Sequence, residues 1–206
     1  MVSKQKVGII TGGSSGIGLA VSEALAAKDD WTVAIFDLNS DRGSKEAERI
    51  GATFHHVDVT NYSSLANAFK DVFKTHRRLD FVHANAGIVG SGDFYETHDT
   101  GDEPPPPPST SVVDIDLISV MNTTYLAQHY FRQTPRDDLG PRSLIITSSC
   151  GGLYGTQRVP NYGAAKFGTV GWTRSIAGHM WRVDGIRVNV SPMKQSRPLR
   201  INLLTA

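Results

Sequence analysis

The sequence predicts an α/β fold: a parallel sheet, doubly wound, with helices on both faces. Apolar runs of strand length alternate with segments of helical apolar spacing along most of the chain. The first run, Val7 to Ile10, ends in a turn with spaced glycines, Thr11-Gly12-Gly13-Ser14-Ser15-Gly16-Ile17-Gly18. Leu19, Ala20, Ala24 and Leu25 then recur as on one face of a helix, so this turn joins a buried strand to a helix N-terminus. At 206 residues the chain fits one domain. A domain of this size buries about 70% of the surface of its extended chain.

The glycine turn carries the first functional expectation. Gly12, Gly16 and Gly18 let the backbone approach a pyrophosphate, and the helix behind them points free N–H groups at the phosphates; Ser14, Ser15 and Ile17 belong to the same cradle. A nucleoside-triphosphate loop would end in Gly-Lys-Ser/Thr, which this turn lacks. The second strand, Thr32 to Phe36, ends at Asp37, with Leu38 beyond it. A carboxylate nineteen residues after Gly18 accepts hydrogen bonds from both hydroxyls of an adenosine ribose and repels a 2′-phosphate, so NAD is preferred over NADP. Ser15 offers no counter-charge for an extra phosphate. Arg42, the nearby cation, is expected on the next helix, Arg42 to Ile50, as a solvated residue.

Thr53 to Val57 reads as a third strand, whose end, Asp58-Val59, comes near the adenine if the strand joins the same sheet. His55 and His56 are neighbours on it and point to opposite faces, so they cannot chelate one metal, and no metal site is expected. Leu65, Ala68, Phe69, Val72 and Phe73 mark an amphipathic helix, with Thr60 or Asn61 as its N-cap. Leu79 to His83 leads to a fourth strand ending in Asn85-Ala86-Gly87, small residues against which a flat ring can lie. The stretch from Ile88 to Ser109 is irregular, and Pro104 to Pro108 stiffen it into an extended surface loop; a ligand for a proline-binding partner is the alternative reading. A helix from about Val112 to Phe131 follows, then strands Ser143 to Ser148 and Ile186 to Val190 on either side of a long helix, Asn161 to Trp181.

That long helix bears Tyr162 and Lys166. Residues four apart stand on one helix face, so the phenol and the ammonium share a small site, and a fixed positive charge favours phenolate. Tyrosine is thereby brought towards the range of a general acid or base. Ser149, thirteen residues before Tyr162 and at the end of an apolar strand, can hold a substrate oxygen beside the phenol. By itself Tyr-x-x-x-Lys also fits a solvated helix face; the glycine turn and the strand end are what favour a site.

The formal charge of +1 argues against electrostatic capture by nucleic acid or an acidic membrane, which leaves small molecules or other protein chains as partners, and the resemblance described next implies a small-molecule alcohol or carbonyl substrate. The single cysteine, Cys150, fits a reducing compartment, and with no apolar leader or membrane-length run a cytoplasmic location is expected.

Together, Thr11-Gly12-(x3)-Gly16-x-Gly18, Asp37, Asp58-Val59, Asn85-Ala86-Gly87, Ser149 and Tyr162-x-x-x-Lys166 resemble the short-chain dehydrogenase/reductase family over about Lys6 to Asn189. Asp116 to Val120 and Gly171 to Ser175 resemble its NAD-dependent hydroxyprostaglandin dehydrogenase type. The resemblance implies a Rossmann-type sheet of about six strands in the order 3-2-1-4-5-6 and hydride transfer between NAD(H) and an alcohol or ketone. In it Tyr162 is the acid/base, Lys166 holds the nicotinamide ribose, and Ser149 orients the reacting oxygen. It also implies pairing of copies as a homodimer through the two long helices. Two departures stand out. Asp116 occupies a place where the family usually has Asn, and after Asn189 the family's Pro-Gly pair, lid and last strand are not recognisable. On this reading residues 1–192 are the dinucleotide-binding and catalytic domain and 193–206 an atypical tail, and a truncated pseudoenzyme that binds nucleotide with little or no turnover is the second reading.

Overall fold

The computed structural model describes residues 5–90, 93–135 and 140–193. Most of the expected tail, from residue 194 on, lies outside the described residues. Six parallel strands form a sheet in the order β3-β2-β1-β4-β5-β6: β1 Lys6–Thr11, β2 Trp31–Asp37, β3 Thr53–His56, β4 Phe81–Ala84, β5 Ser143–Ser149 and β6 Arg187–Met193. The chain reverses its direction of travel across the sheet between β1 and β4. Gly8, Ile9 and Ile10 face Phe81, Val82 and His83 there, and in an open parallel sheet a crevice forms at this switch point beyond the carboxyl ends of the strands.

The helices begin and end where side chains can close the backbone. α1 (Gly16–Ala26) starts from the glycine turn. α2 (Ser40–Ile50) is capped by Asn39, whose side chain accepts from the Arg42 amide, and α3 (Tyr62–His76) by Asn61, which accepts from Ser64; of the two candidate caps for α3 it is Asn61 that serves, because Thr60 is turned back onto Asp58. Left-handed residues end both, Gly51 after α2 and Arg77 after α3. One apolar layer, built on Ile10, Val33, Ile35 and Ala47, packs with Val21, Leu25 and Ile50 of α1 and α2. The larger layer joins Phe36, Phe69, Leu65, Leu144 and Ile146 to the helices that follow β3.

The helix expected from about Val112 to Phe131 differs in one respect. It runs as α4 (Ser111–Val113) and α5 (Ser119–Gln133) with a π-helical turn, Asp114–Ile118, between them. A π turn accommodates an extra residue and re-aims the side chains on it. Here it buries Asp116 completely. The proline run leads into α4 as an exposed segment without regular structure, and α6 spans Pro160–Asp184, ending on left-handed Gly185.

His83 on β4 is almost fully buried, 3% exposed, and ties β4 to β5 through a 2.8 Å contact of Nε2 with the Thr147 hydroxyl. That hydroxyl donates its proton to Asn85 Oδ1, 3.1 Å away, so the imidazole must donate to it, which leaves Nδ1 bare and without a partner among the described residues. Burial lowers the His83 pKa from 6.5 to about 4. With the folded value below the unfolded one, this residue costs nothing above the unfolded pKa. Stability then falls as the pH drops through the interval between the two, by up to about 3 kcal/mol, and levels off below the folded value. Denaturant unfolding across this range should show that slope in the wild type, and His83→Gln, which keeps a polar atom near Nε2, should flatten it.

Candidate active site

At the switch point two strand ends are locked together. The Thr11 hydroxyl accepts from the amides of Asn85 (2.9 Å) and Ala86 (3.1 Å), while Asn85 Nδ2 donates back to the carbonyls of Thr11 (3.1 Å) and Gly12 (3.3 Å). The glycine turn wraps over this knot. Gly12 and Gly16 hold φ of 63° and 53°, in the left-handed region. A Cβ on Gly18 would lie 2.2 Å from the Gly12 carbonyl oxygen, so only glycine lets α1 close onto the turn. Ser15, the N-cap residue of α1, makes no side-chain cap hydrogen bond, so the amides of the first turn lack that partner.

Ser14 and Gly18, both expected at the cofactor, are buried inside the turn and shape it from behind. Asp37 sits at the end of β2, 7% exposed, with Oδ2 accepting from the Ser14 amide (3.2 Å) and Oδ1 from the Asn39 amide (3.0 Å). Each oxygen keeps a second acceptor site. Arg42 departs from expectation. It is not simply solvated: Nε donates to Ser14 Oγ at 3.0 Å and Nη2 lies 3.6 Å from Asp37 Oδ1, because the Asn39 cap turns the first turn of α2 towards the glycine loop. Leu38 is exposed beside them, and Asp58 binds the Thr60 amide and hydroxyl in a local turn next to buried Val59.

At the other end of the crevice β5 delivers Ser149 and α6 delivers Tyr162 and Lys166. A point at the missing Cβ of Gly151 lies 3.4 Å from Tyr162 Cε1 and 3.5 Å from Ser149 Oγ, so phenol and hydroxyl border one small space. Gly163 makes this possible, since a Cβ there would fall 2.3 Å from Thr156 Oγ1 and force the 150–156 turn off the helix. Lys166 is 4% exposed; its Nζ lies 5.5 Å from the centre of the Tyr162 ring, donates to the Thr147 carbonyl at 3.3 Å, and meets Asp116 Oδ2 at 2.9 Å. Asp116 Oδ1 accepts from the Ile88 amide at 2.8 Å. Burial pushes the Asp116 carboxyl above its usual range, against the pull of the Lys166 charge and the Ile88 amide.

A groove of about 700 Å³ joins the two ends. Gly12, Ser15, Gly16, Ile17, Asn85, Ala86, Gly87, Ser149, Tyr162 and Lys166 all line it, whereas Ser14, Gly18, Asp37, Leu38, Asp58 and Val59 stand outside its wall. Thr147, Thr156 and Asp116 also line it and were not among the expected site residues. Asp116 could be noticed in the sequence as an unusual carboxylate. Its burial could not, because that follows from the π turn.

Comparison with known proteins bears on this geometry. A family model described as short chain dehydrogenase matches residues 6–193. The chain is 48% identical over 178 residues to the short-chain dehydrogenase/reductase prx7 of Penicillium rubens, an alignment covering 84% of this chain and 62% of that protein. It is 32% identical over 198 residues to the 5'-hydroxyaverantin dehydrogenase of Dothistroma septosporum, covering 88% and 64%. Among solved structures, levodione reductase superposes with a TM-score of 0.77 at 26% identity, covering 92% of this chain and 71% of that one. The chain thus spans between 62% and 64% of the length of these two curated relatives.

Proposed function

We propose, for a chain that belongs to the short-chain dehydrogenase/reductase family, that it interconverts an alcohol and a ketone or aldehyde with NAD(H), and that Ser149, Tyr162 and Lys166 carry the reaction. The observation that carries the reading is the single groove with the glycine turn at one end and these side chains at the other. The residues present fit a dinucleotide. The uncapped start of α1 and the side-chain-free Gly12 suit a pyrophosphate, Asp37 has free acceptor sites for ribose hydroxyls, and Ala86 and Gly87 leave a flat floor. Bound there, the nicotinamide would supply hydride chemistry.

The chain's own contribution is to hold and move a proton. Tyr162 passes its phenolic proton to, or takes one from, the substrate oxygen, Ser149 fixes that oxygen by a hydrogen bond, and Lys166 binds the nicotinamide ribose. Ile88 and Val89 offer apolar surface at the groove, 40% and 44% exposed, which supports a small or medium hydrophobic substrate. The reading is tested by turnover on a panel of secondary alcohols and ketones. Tyr162→Phe keeps the ring but deletes the proton carrier, and should lower turnover about 10²–10⁴-fold while leaving NADH affinity nearly unchanged. Turnover unaffected by that change would remove Tyr162 from the mechanism, and cofactor binding without turnover by the wild type would favour a nucleotide-binding pseudoenzyme.

NAD is the preferred cofactor in this reading, because the Asp37 carboxylate meets the ribose edge. Arg42 moderates the preference by placing a guanidinium 3.6 Å from it. Asp37→Ala should therefore narrow the gap between NADH and NADPH dissociation constants twice over, by removing the repulsive charge and by freeing Arg42 to meet a 2′-phosphate. A wild type that binds NADPH more tightly than NADH would overturn the preference.

Copies of the chain pair through α5 and α6 in this account. Tyr125 of α5 and Trp181 of α6 are 65% and 52% exposed, and a groove between the two helices is lined by Met121, Tyr125, Trp172 and Ile176. Analytical ultracentrifugation should show a dimer that Tyr125→Glu weakens; a monomeric wild type at micromolar concentration contradicts it.

A further inference from the structure

Beside the proton carrier lies a charge that the reaction above does not use. A lone ammonium 5.5 Å from the centre of the Tyr162 ring would favour phenolate. Lys166 is not alone. Its Nζ is 2.9 Å from a carboxylate that has no exposed surface, and a second donor of that ammonium goes to a neutral carbonyl, Thr147 O at 3.3 Å. Two opposite charges this close act at a distance as a dipole, so the phenol feels only a fraction of the lysine's field.

The placement of Asp116 is built into the fold. The π turn directs the side chain inward, the Ile88 amide holds Oδ1 at 2.8 Å, and the space where Gly87 would carry a Cβ lies 3.1 Å from Oδ2. Among the described residues Lys166 forms no other ion pair. Cys150 is exposed at the groove's rim, Asp114 bonds Thr110, His83 is held neutral behind Thr147, and Asp184 pairs with Arg132 at the far end of α6, where Arg187 lies over Trp181.

We propose that Asp116 is the counter-ion of Lys166, a positioning residue that offsets the lysine's charge at Tyr162 and so sets the site for carbonyl reduction. The inference rests on the reading of Tyr162 as proton carrier. In the reductive direction a bound reduced nicotinamide would supply hydride to the carbonyl carbon and be oxidised in doing so. The carbonyl oxygen takes the phenolic proton, the O–H bond of Tyr162 breaks, and the tyrosinate recovers a proton from solvent. A neutral phenol is the form this step needs, and the alcohol-oxidising direction needs the other.

Ionisation of Tyr162 can be followed without cofactor or substrate, from the near-ultraviolet absorbance of tyrosinate, each protein being referenced to its Tyr162→Phe counterpart so that the other five of the six tyrosines cancel. Asp116→Asn keeps an acceptor for the Ile88 amide and should lower the pH of ionisation by about one unit or more. Lys166→Met alone should raise it. The double variant Asp116→Asn/Lys166→Met removes both charges together, leaves no unpaired buried ion, and should titrate within about half a unit of the wild type. An unchanged titration in Asp116→Asn overturns the proposal. Should that variant not fold, a double variant that titrates as high as Lys166→Met overturns it equally. Turnover measured on the same proteins reports separately on the enzymatic reading, so a failure of one is not mistaken for a failure of the other.

Discussion

The site depends on one close approach of backbone to backbone, the turn after β1 against the end of β4. Thr11 and Asn85 exchange hydrogen bonds across it, and Gly18 must lack a side chain for α1 to close over it. From this knot the constraint spreads along β5. Asn85 Oδ1 accepts from Thr147, whose hydroxyl accepts from His83 and whose carbonyl accepts from Lys166. The glycine-turn end and the Tyr162 end of the groove are therefore held by a single hydrogen-bonded chain through the buried strands. Such networks rigidify a site when each member is satisfied, and here the open position is His83 Nδ1.

Much of this was legible in the sequence, for reasons that differ from element to element. The strands were readable because both sheet faces are covered near β1 and β2, so Ile9, Ile10, Val33 and Ile35 form unbroken apolar runs. Asn39 and Asn61 announce helix starts through their chemistry, and spaced glycines announce a backbone approach. Helical spacing put Tyr162 and Lys166 on one face, and the glycine turn with the strand end at Ser149 is what favoured a site there. The π turn was not legible, since an inserted residue shifts the apolar spacing by an amount that periodicity cannot resolve over so short a stretch. The same is true of Arg42, whose long side chain could be placed on α2 but whose contacts with Ser14 and Asp37 depend on how α2 meets the glycine loop.

Two ion pairs near the ends of the groove differ in their burial. Arg42 with Asp37 is partly open to solvent, the guanidinium side chain 47% exposed, so water screens its attraction. Lys166 with Asp116 is sealed, and its partner at the Ile88 amide supplies the hydrogen bond that a buried carboxylate requires. Burial leaves that second pair a weak source of net stability, because desolvation of both ions offsets much of their attraction.

The central claim is that the groove from the glycine turn to Tyr162 is a nicotinamide dinucleotide site. It is tested most directly by titrating NADH into the wild-type chain and into Gly18→Ala, following energy transfer from tryptophan to the reduced nicotinamide. The account predicts saturable binding by the wild type and loss of it in the variant, where the added methyl would sit 2.2 Å from the Gly12 carbonyl oxygen and open the turn. Equal binding by a folded Gly18→Ala variant, or none by the wild type, would contradict it.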